Sequence, residues 1–378
     1  MSIRELYLHL FQAYVDARKN ERNKHTQLEF ELDLERNLRA LTLKIYRREW
    51  SPLPSICFII DSPSYREVFA PQFEDRVVSH LLFNMVYPIF ERYFIYDSYS
   101  CRKQKGTHFG IKRMAHHLKS CTQNFTKEAY VLNIDIKGYF VHIDKNILYE
   151  EVLRIIRHYE SKHPDELDYD LVYFLTEKII WKDPTTNGIK ITKGAEWENI
   201  PKGKSLYDTP KDVGLAIGDI MSQLLSNVYL NIFDQFVKRK LKAKYYGRYV
   251  DDSKIISTDK TYLIHCRDEI EVFLRDRLHL ELHPNKTNIS PAHHNVFFLG
   301  ACIKQNRIYV KNKTIKRYKV AIAKIKPALE RHDKSALSIA NSILGGLIHF
   351  DEYNTRKMLM SGIKNAIINN NYAVIRYE

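Results

Sequence analysis

Apolar residues recur at helical spacing through the charged first fifty positions, at Leu32, Leu34, Leu38 and Leu41, which predicts an N-terminal helical stretch. Prolines bracket the β-rich run Ile56–Ile60, and helical periodicity returns over DRVVSHLLFNMVYPIFERYF to about Tyr93, so a strand followed by a long helix is expected. In AYVLNIDIKGYF, Val131, Leu132, Ile134 and Ile136 surround Asp135, the pattern of a buried strand ending in a loop. Between Lys182 and Gly214 the chain turns polar and rich in turn formers, a surface insertion by composition, before the helical run SQLLSNVYLNIFDQFVKRKL. KYYGRYVDDSKIIS predicts two short strands meeting at an acidic turn, with Tyr249 and Val250 before it and Lys254 to Ile256 after it. From Thr314 onward the chain reads as basic helices interrupted at Gly345–Gly346, and no repeat or low-complexity tract is visible.

Composition narrows the class. With 378 residues, 44% hydrophobic and 12% aromatic, the chain buries large cores and is not intrinsically disordered. A formal charge of +14 suits a polyanionic partner, nucleic acid or an anionic membrane surface, without choosing between them. No stretch approaches the roughly 18 apolar residues of a membrane span, and the N-terminus lacks a signal-peptide core, so a cytoplasmic protein with no membrane partner is expected. Cys57, Cys101, Cys121, Cys266 and Cys302 are odd in number and scattered; each reads as a small buried hydrophobe rather than part of a disulfide framework or zinc site.

Candidate chemistry rests on carboxylates. Two divalent ions about 3.5–4 Å apart are the device by which a protein activates a hydroxyl and neutralises a triphosphate, and hard cations need oxygen ligands from converging segments. Asp135 at a strand end and Asp251–Asp252 in a hairpin turn meet that requirement if their strands are neighbours. Taken alone, an Asp pair in a turn is more often a solvated turn or a helix cap than a catalytic pair.

Six ordered segments decide between these readings. YVDD at 249–252, NIDIKGYFVHID, GLAIGDIMSQLLSNVYLN, LHPNKTNIS with VFFLGACI, REVFAPQFEDRVVSHLL and DSYSCRKQKGTH together resemble the motifs of reverse transcriptases over most of the chain. The resemblance implies an α+β right-hand polymerase with fingers, an antiparallel palm sheet and a helical thumb. Its divisions would be an N-terminal helical extension and start of fingers at 1–64, fingers at 65–134, palm at 135–310 with a surface insertion near 183–213, and thumb at 311–378. It implies RNA-directed DNA synthesis with two Mg²⁺ ions per site, Mn²⁺ substituting, held by Asp135, Asp251, Asp252 and the Ile136 carbonyl. Phe140 falls where the family places an aromatic gate against a ribose 2′ hydroxyl; without the resemblance it is equally a core aromatic. Arg66, Arg76, Arg102 and Lys103 become triphosphate grips, since guanidinium forks bind phosphate bidentately. Lys286 becomes a proton donor to the departing pyrophosphate. Ile217 and Gly218 would lie beside the incoming nucleotide, and Ser222, Gln223, Tyr249, Leu299 and Gly300 along template and primer. Lys316, Arg317, Lys319, Lys324 and Lys326 would track the duplex backbone.

Within that family the run Ile217 to Gln223, PKGKSL at 201–206, FERYFIYDSYSCRK and NSILGGLIHFDEYNTRK are most similar to reverse transcriptases of diversity-generating retroelements. An apolar Ile217 in place of an amide cannot hydrogen-bond a nascent base pair, so low fidelity is expected. The implied partners are template RNA and its cDNA, dNTPs, a dedicated structured non-coding RNA and a small accessory protein or second subunit encoded nearby. Antiphage-defence reverse transcriptases share the Ser-Gln signature and form the alternative role. A non-catalytic RNA-binding relative and an RNA-copying RNA polymerase are alternatives for the chemistry; the three acids argue against the first and Phe140 against the second.

Overall fold

The computed structural model describes residues 1–19, 24–61, 65–192, 194–293, 295–305, 307–331, 333–361 and 363, so the end of the expected 311–378 helical region lies outside the described residues. Helices α1 (Ile3–Arg18), α2 (His25–Leu32) and α3 (Leu34–Tyr46) open the chain. Ser2 and Glu5 form a reciprocal capping box at the start of α1. Leu6, Leu10 and Ala13 of α1 are buried with Leu38, Leu41 and Ile45 of α3 in the main core.

An antiparallel hairpin follows, β1 (Ile56–Ile60) and β2 (Arg66–Ala70), then helices α4 (Phe73–Glu91) and α5 (Thr107–Cys121). Next come β3 (Tyr130–Ile134), α6 (Lys145–Glu160), α7 (Tyr169–Ile180) and the two-residue β4 (Ile189–Lys190). Within the expected surface insertion at 183–213, β4 is exposed but pairs in parallel with β1. Gly188 leaves room for Cys57 Sγ, which a Cβ there would meet at 2.8 Å. Farther along, Ser205 Oγ and the Leu206 N–H both donate to buried Glu67, and Leu206 packs with Cys57, Phe69 and Val141.

The chain continues through α8 (Ile220–Gln235), β5 (Tyr245–Tyr249), β6 (Asp252–Ser257), α9 (Lys260–Leu278) and β7 (Asn288–Pro291). The four strands form one antiparallel sheet, ordered β5-β6-β3-β7. Alternation along β3 and β6 assigns its faces. Leu132, Ile134 and Ile255 belong to the main core with α6, α8 and α9, whereas Val131 and Ile256 belong to a second core with α5 and Phe298. Strands β8 (Val296–Phe298), β9 (Ala301–Ile303) and β10 (Ile308–Val310) form a small antiparallel sheet on that second side. Helices α10 (Asn312–Glu330), α11 (Lys334–Leu347) and α12 (Tyr353–Ser361) close the described chain around Ile322, Leu329, Ala340 and Leu344.

All five cysteines are free, and four are buried as expected. Cys101 is the exception: it is exposed, in a left-handed turn with φ 52°, next to a buried Arg102.

Candidate active site

The β3–β6 register pairs Ile134 with Ser253, so one step onward Asp135 faces Asp252 at the open end of the sheet. The β5–β6 hairpin pairs Tyr249 with Asp252 and leaves Val250 and Asp251 as its turn. Val250 adopts φ 54°, a left-handed conformation that costs a β-branched residue on the order of 1–3 kcal/mol. Neighbours hold it there. Arg248, 1% exposed, forks onto Asp234 at 2.8 and 2.6 Å and donates to the Val250 carbonyl at 3.0 Å. Ser100 Oγ accepts from the Val250 N–H at 3.1 Å, and Ser100 Oγ itself donates to Asn227. Gly247 is required beside them, since a Cβ would fall 2.3 Å from Tyr99 Oη. Sequence reasoning missed Arg248 and Asp234, although a charged residue inside a buried strand is itself a signal that a partner exists.

Burial pushes the Asp251 carboxyl up to about 6, and the Asp135 and Asp252 charges push in the same direction. Burial and Asp135 also raise Asp252, while Lys254 lowers it. Lys286 Nζ sits 3.2 and 3.3 Å from the two Asp135 oxygens. Ile136 bridges Leu282 through bonds made by its neighbours, Lys137 N–H to the Glu281 carbonyl and His283 N–H to the Asp135 carbonyl. Its own C=O therefore turns away from that pairing. Among the described residues no three His, Cys, Asp or Glu side chains are gathered as a metal cluster. The donor types nevertheless fit hard cations: Asp135 and Asp252 on facing strands and Asp251 in the turn are three mutually repulsive carboxylates, with Lys286 beside Asp135 and Lys254 beside Asp252.

A second group of expected residues meets on the first sheet. The Phe69 N–H of β2 donates to the Ile217 carbonyl at 2.8 Å, and Gly218, φ 136°, passes so close that a Cβ would meet the Phe69 carbonyl at 2.8 Å. The Leu215 N–H donates to the Phe140 carbonyl at 2.8 Å, placing half-buried Phe140 beside the same loop. Arg66 is exposed on β2, and half-buried Arg76 on α4 acts electrostatically on Asp219. Gln223 is exposed on α8; Tyr249 Oη accepts from Thr107 at 3.4 Å; Leu299 and Gly300, φ 49° and 84°, form the two-residue turn between β8 and β9.

Two expectations fail. Arg102 is not a triphosphate grip: its side chain is 4% exposed, paired with Glu91 and bonded to the Ile95 and Ser98 carbonyls. Lys103 beside it is exposed, its ammonium 5.4 Å from the Tyr87 ring centroid. Ser222 is buried and lines a cavity of about 50 Å³ with Trp50, Asp75, Lys145 and Asp219, so its side chain is not open to a template strand.

A family model described as reverse transcriptase (RNA-dependent DNA polymerase) matches residues 61–303. The chain belongs to that family. This reverse transcriptase is an RNA-directed DNA polymerase, a nucleotidyltransferase of a family that works with divalent metal ions. It is 25% identical over 300 residues to Protein YkfC of Escherichia coli (strain K12), covering 69% of this chain and 71% of that one. Two solved structures share the right-hand polymerase fold at a TM-score of 0.50. Apo telomerase from Candida tropicalis is 12% identical and covers 85% of this chain. Telomerase from Candida albicans with a fragment of telomeric RNA is 11% identical and covers 88%. The reverse transcriptase spans 59% and 57% of those two chains. No described helix is long and apolar enough to cross a membrane.

Proposed function

We propose that Asp135, Asp251 and Asp252 with the Ile136 carbonyl are the ligands of two Mg²⁺ ions, for which Mn²⁺ substitutes, and that the enzyme copies RNA into DNA there. The observation that carries this reading is the register that sets Asp135 opposite Asp252, with a half-buried Asp251 in the turn beside them whose carboxyl is raised by its desolvation and by both neighbouring charges. When bound, the ions activate the primer hydroxyl and neutralise the triphosphate. The protein's own groups do the rest. Phe140 excludes a ribose 2′ hydroxyl; Arg66, Arg76 and Lys103 neutralise phosphate; Lys286 Nζ leaves Asp135 and gives a proton to the departing pyrophosphate. Gln223, Tyr249, Leu299 and Gly300 contact template and primer. Fingers, palm and thumb fall at 65–134, 135–310 and 311–378, behind the helical extension at 1–64.

The biological role proposed is error-prone copying for a diversity-generating retroelement in the cytoplasm, with a dedicated structured RNA and a small accessory subunit. Support comes from the Ile217 to Gln223 run and from an apolar Ile217 whose carbonyl accepts from the Phe69 N–H of β2, two residues after the Leu215 that bonds Phe140. Primer extension on an RNA template tests the chemistry: wild type extends with dNTPs and not rNTPs, and Asp135→Ala or Asp251→Ala abolishes extension while RNA binding persists. Wild-type activity in either variant removes the two-ion assignment. Sequencing copurifying RNA and the neighbouring genes tests the role; a variable repeat supports diversification, and its absence beside a fixed RNA supports defence.

A further inference from the structure

Lys254 has no part in the reading above, yet it is buried beside its centre. It lies on β6 directly opposite Asn133 of β3, on the sheet face that Asp135 and Asp252 share. Its side chain is 5% exposed, with Nζ 2.6 Å from Asn133 Oδ1 and 3.6 Å from Asp252 Oδ1. The same ammonium stands 5.6 Å from the ring centroid of fully buried Phe298, the residue before the Leu299–Gly300 turn. Asn133 is held in its turn, donating to Asn288 Oδ1 at 3.0 Å and Ser290 Oγ at 3.4 Å on β7. A buried ammonium is costly unless compensated, and here its one short bond goes to a neutral amide. The carboxylate it leans on is 41% exposed and points to the open end of the sheet.

We infer that Lys254 is a positioning residue for the ion site: anchored by Asn133, it fixes Asp252 and opposes the hold of a cation on that carboxylate. This rests on the two-ion reading and adds a claim to it. The ammonium draws Asp252 away from Asp251 and Asp135, and a dication at Asp252 must work against a like charge. Tight cation binding is thereby given up for a carboxylate of fixed place. The contact with Phe298 sets the distance between that carboxylate and the turn expected to hold the primer.

The test uses Mn²⁺ binding to the nucleic-acid-free protein, followed by electron paramagnetic resonance, together with primer extension across a Mg²⁺ series. Lys254→Gln keeps a donor for Asn133 and removes the charge. It is expected to bind Mn²⁺ about three- to tenfold tighter, an effect on the scale of a partly exposed ion pair, while turnover at saturating Mg²⁺ falls about tenfold or more. Lys254→Arg keeps the charge and is expected to restore wild-type Mn²⁺ affinity. In an Asp252→Asn background the Lys254→Gln effect on Mn²⁺ is expected to vanish, as a coupled pair requires. A lower melting temperature with unchanged Mn²⁺ affinity, or an equal effect in the Asp252→Asn background, overturns the inference. Asp251→Ala separates the two claims. If it binds Mn²⁺ and extends primers as wild type does, the two-ion reading falls; if it is inactive while Lys254→Gln is normal, only the role of Lys254 falls.

Discussion

Ile217 carries the fidelity argument at the scale of one side chain. An amide in its place makes one more hydrogen bond to a base pair or sugar, about 0.5–1.5 kcal/mol net, or roughly two- to tenfold in discrimination. Sequencing cDNA made by Ile217→Gln and wild type on one template should show fewer errors in the variant; identical error spectra would leave Ile217 a plain packing residue. Arg102 is the opposite case. Arg102→Met should lower stability by about 2 kcal/mol by stripping Glu91 and two carbonyls of their donor, with the KM for dNTPs unchanged. Nothing in DSYSCRKQKGTH distinguishes an arginine that meets phosphate from one that meets its own helix end, because the partner, Glu91, is chosen by a turn and not by spacing. The meeting of Asp135 with the Asp251–Asp252 turn was legible for the converse reason: the proposed chemistry restricts which residue types can serve and requires their strands to be neighbours, as β3 and β6 are.

Elements were legible where one period ran long enough. The β3 strand and the β5–β6 hairpin follow their apolar runs and α8 its helical period, whereas β2, no longer than β3, opens on the charged pair Arg66–Glu67, and β4 has only two residues, too few to show a period. Gly247 shows what periodicity cannot: β5 needs a residue without a side chain because Tyr99 lies across it. Gly247→Ala should cost about 1–3 kcal/mol by overpacking, and Tyr99→Phe should recover part of that loss in a thermal melt, since removing the hydroxyl relieves the closest contact. At the start of α4, Asp75 is buried with Lys182 and the Leu53 N–H, and burial raises its carboxyl to about 6. A folded-state value above the unfolded one means the native protein binds the extra proton. Its contribution to stability therefore falls as pH rises from about 4 to 6, by up to about 3 kcal/mol, and stays low above. Asp75→Asn should flatten the melting temperature across that window; an unchanged slope would assign the pH dependence to other acids.

Across the whole molecule, charge and lobes belong together. Lys316, Arg317, Lys319, Lys324 and Lys326 are all exposed on α10, as the basic periodicity after Thr314 led one to expect. Replacing them by Gln should weaken primer–template binding and reduce the slope of log affinity against log salt by about 0.7–0.9 per lost phosphate contact. An unchanged slope would put the duplex elsewhere. The docking of the first sheet onto the loop before α8 was hidden from sequence, because Phe69 and Ile217 meet through backbone atoms that every residue possesses. With no space at Gly218 for even a methyl group, β2 cannot slide along that loop. It must unzip from it or travel with it. Deuterium uptake at one amide, that of Phe69, is thus a clock for the enzyme: slow exchange through a catalytic cycle means the strand and the loop before α8 journey together, and a burst upon nucleotide arrival marks the moment they part.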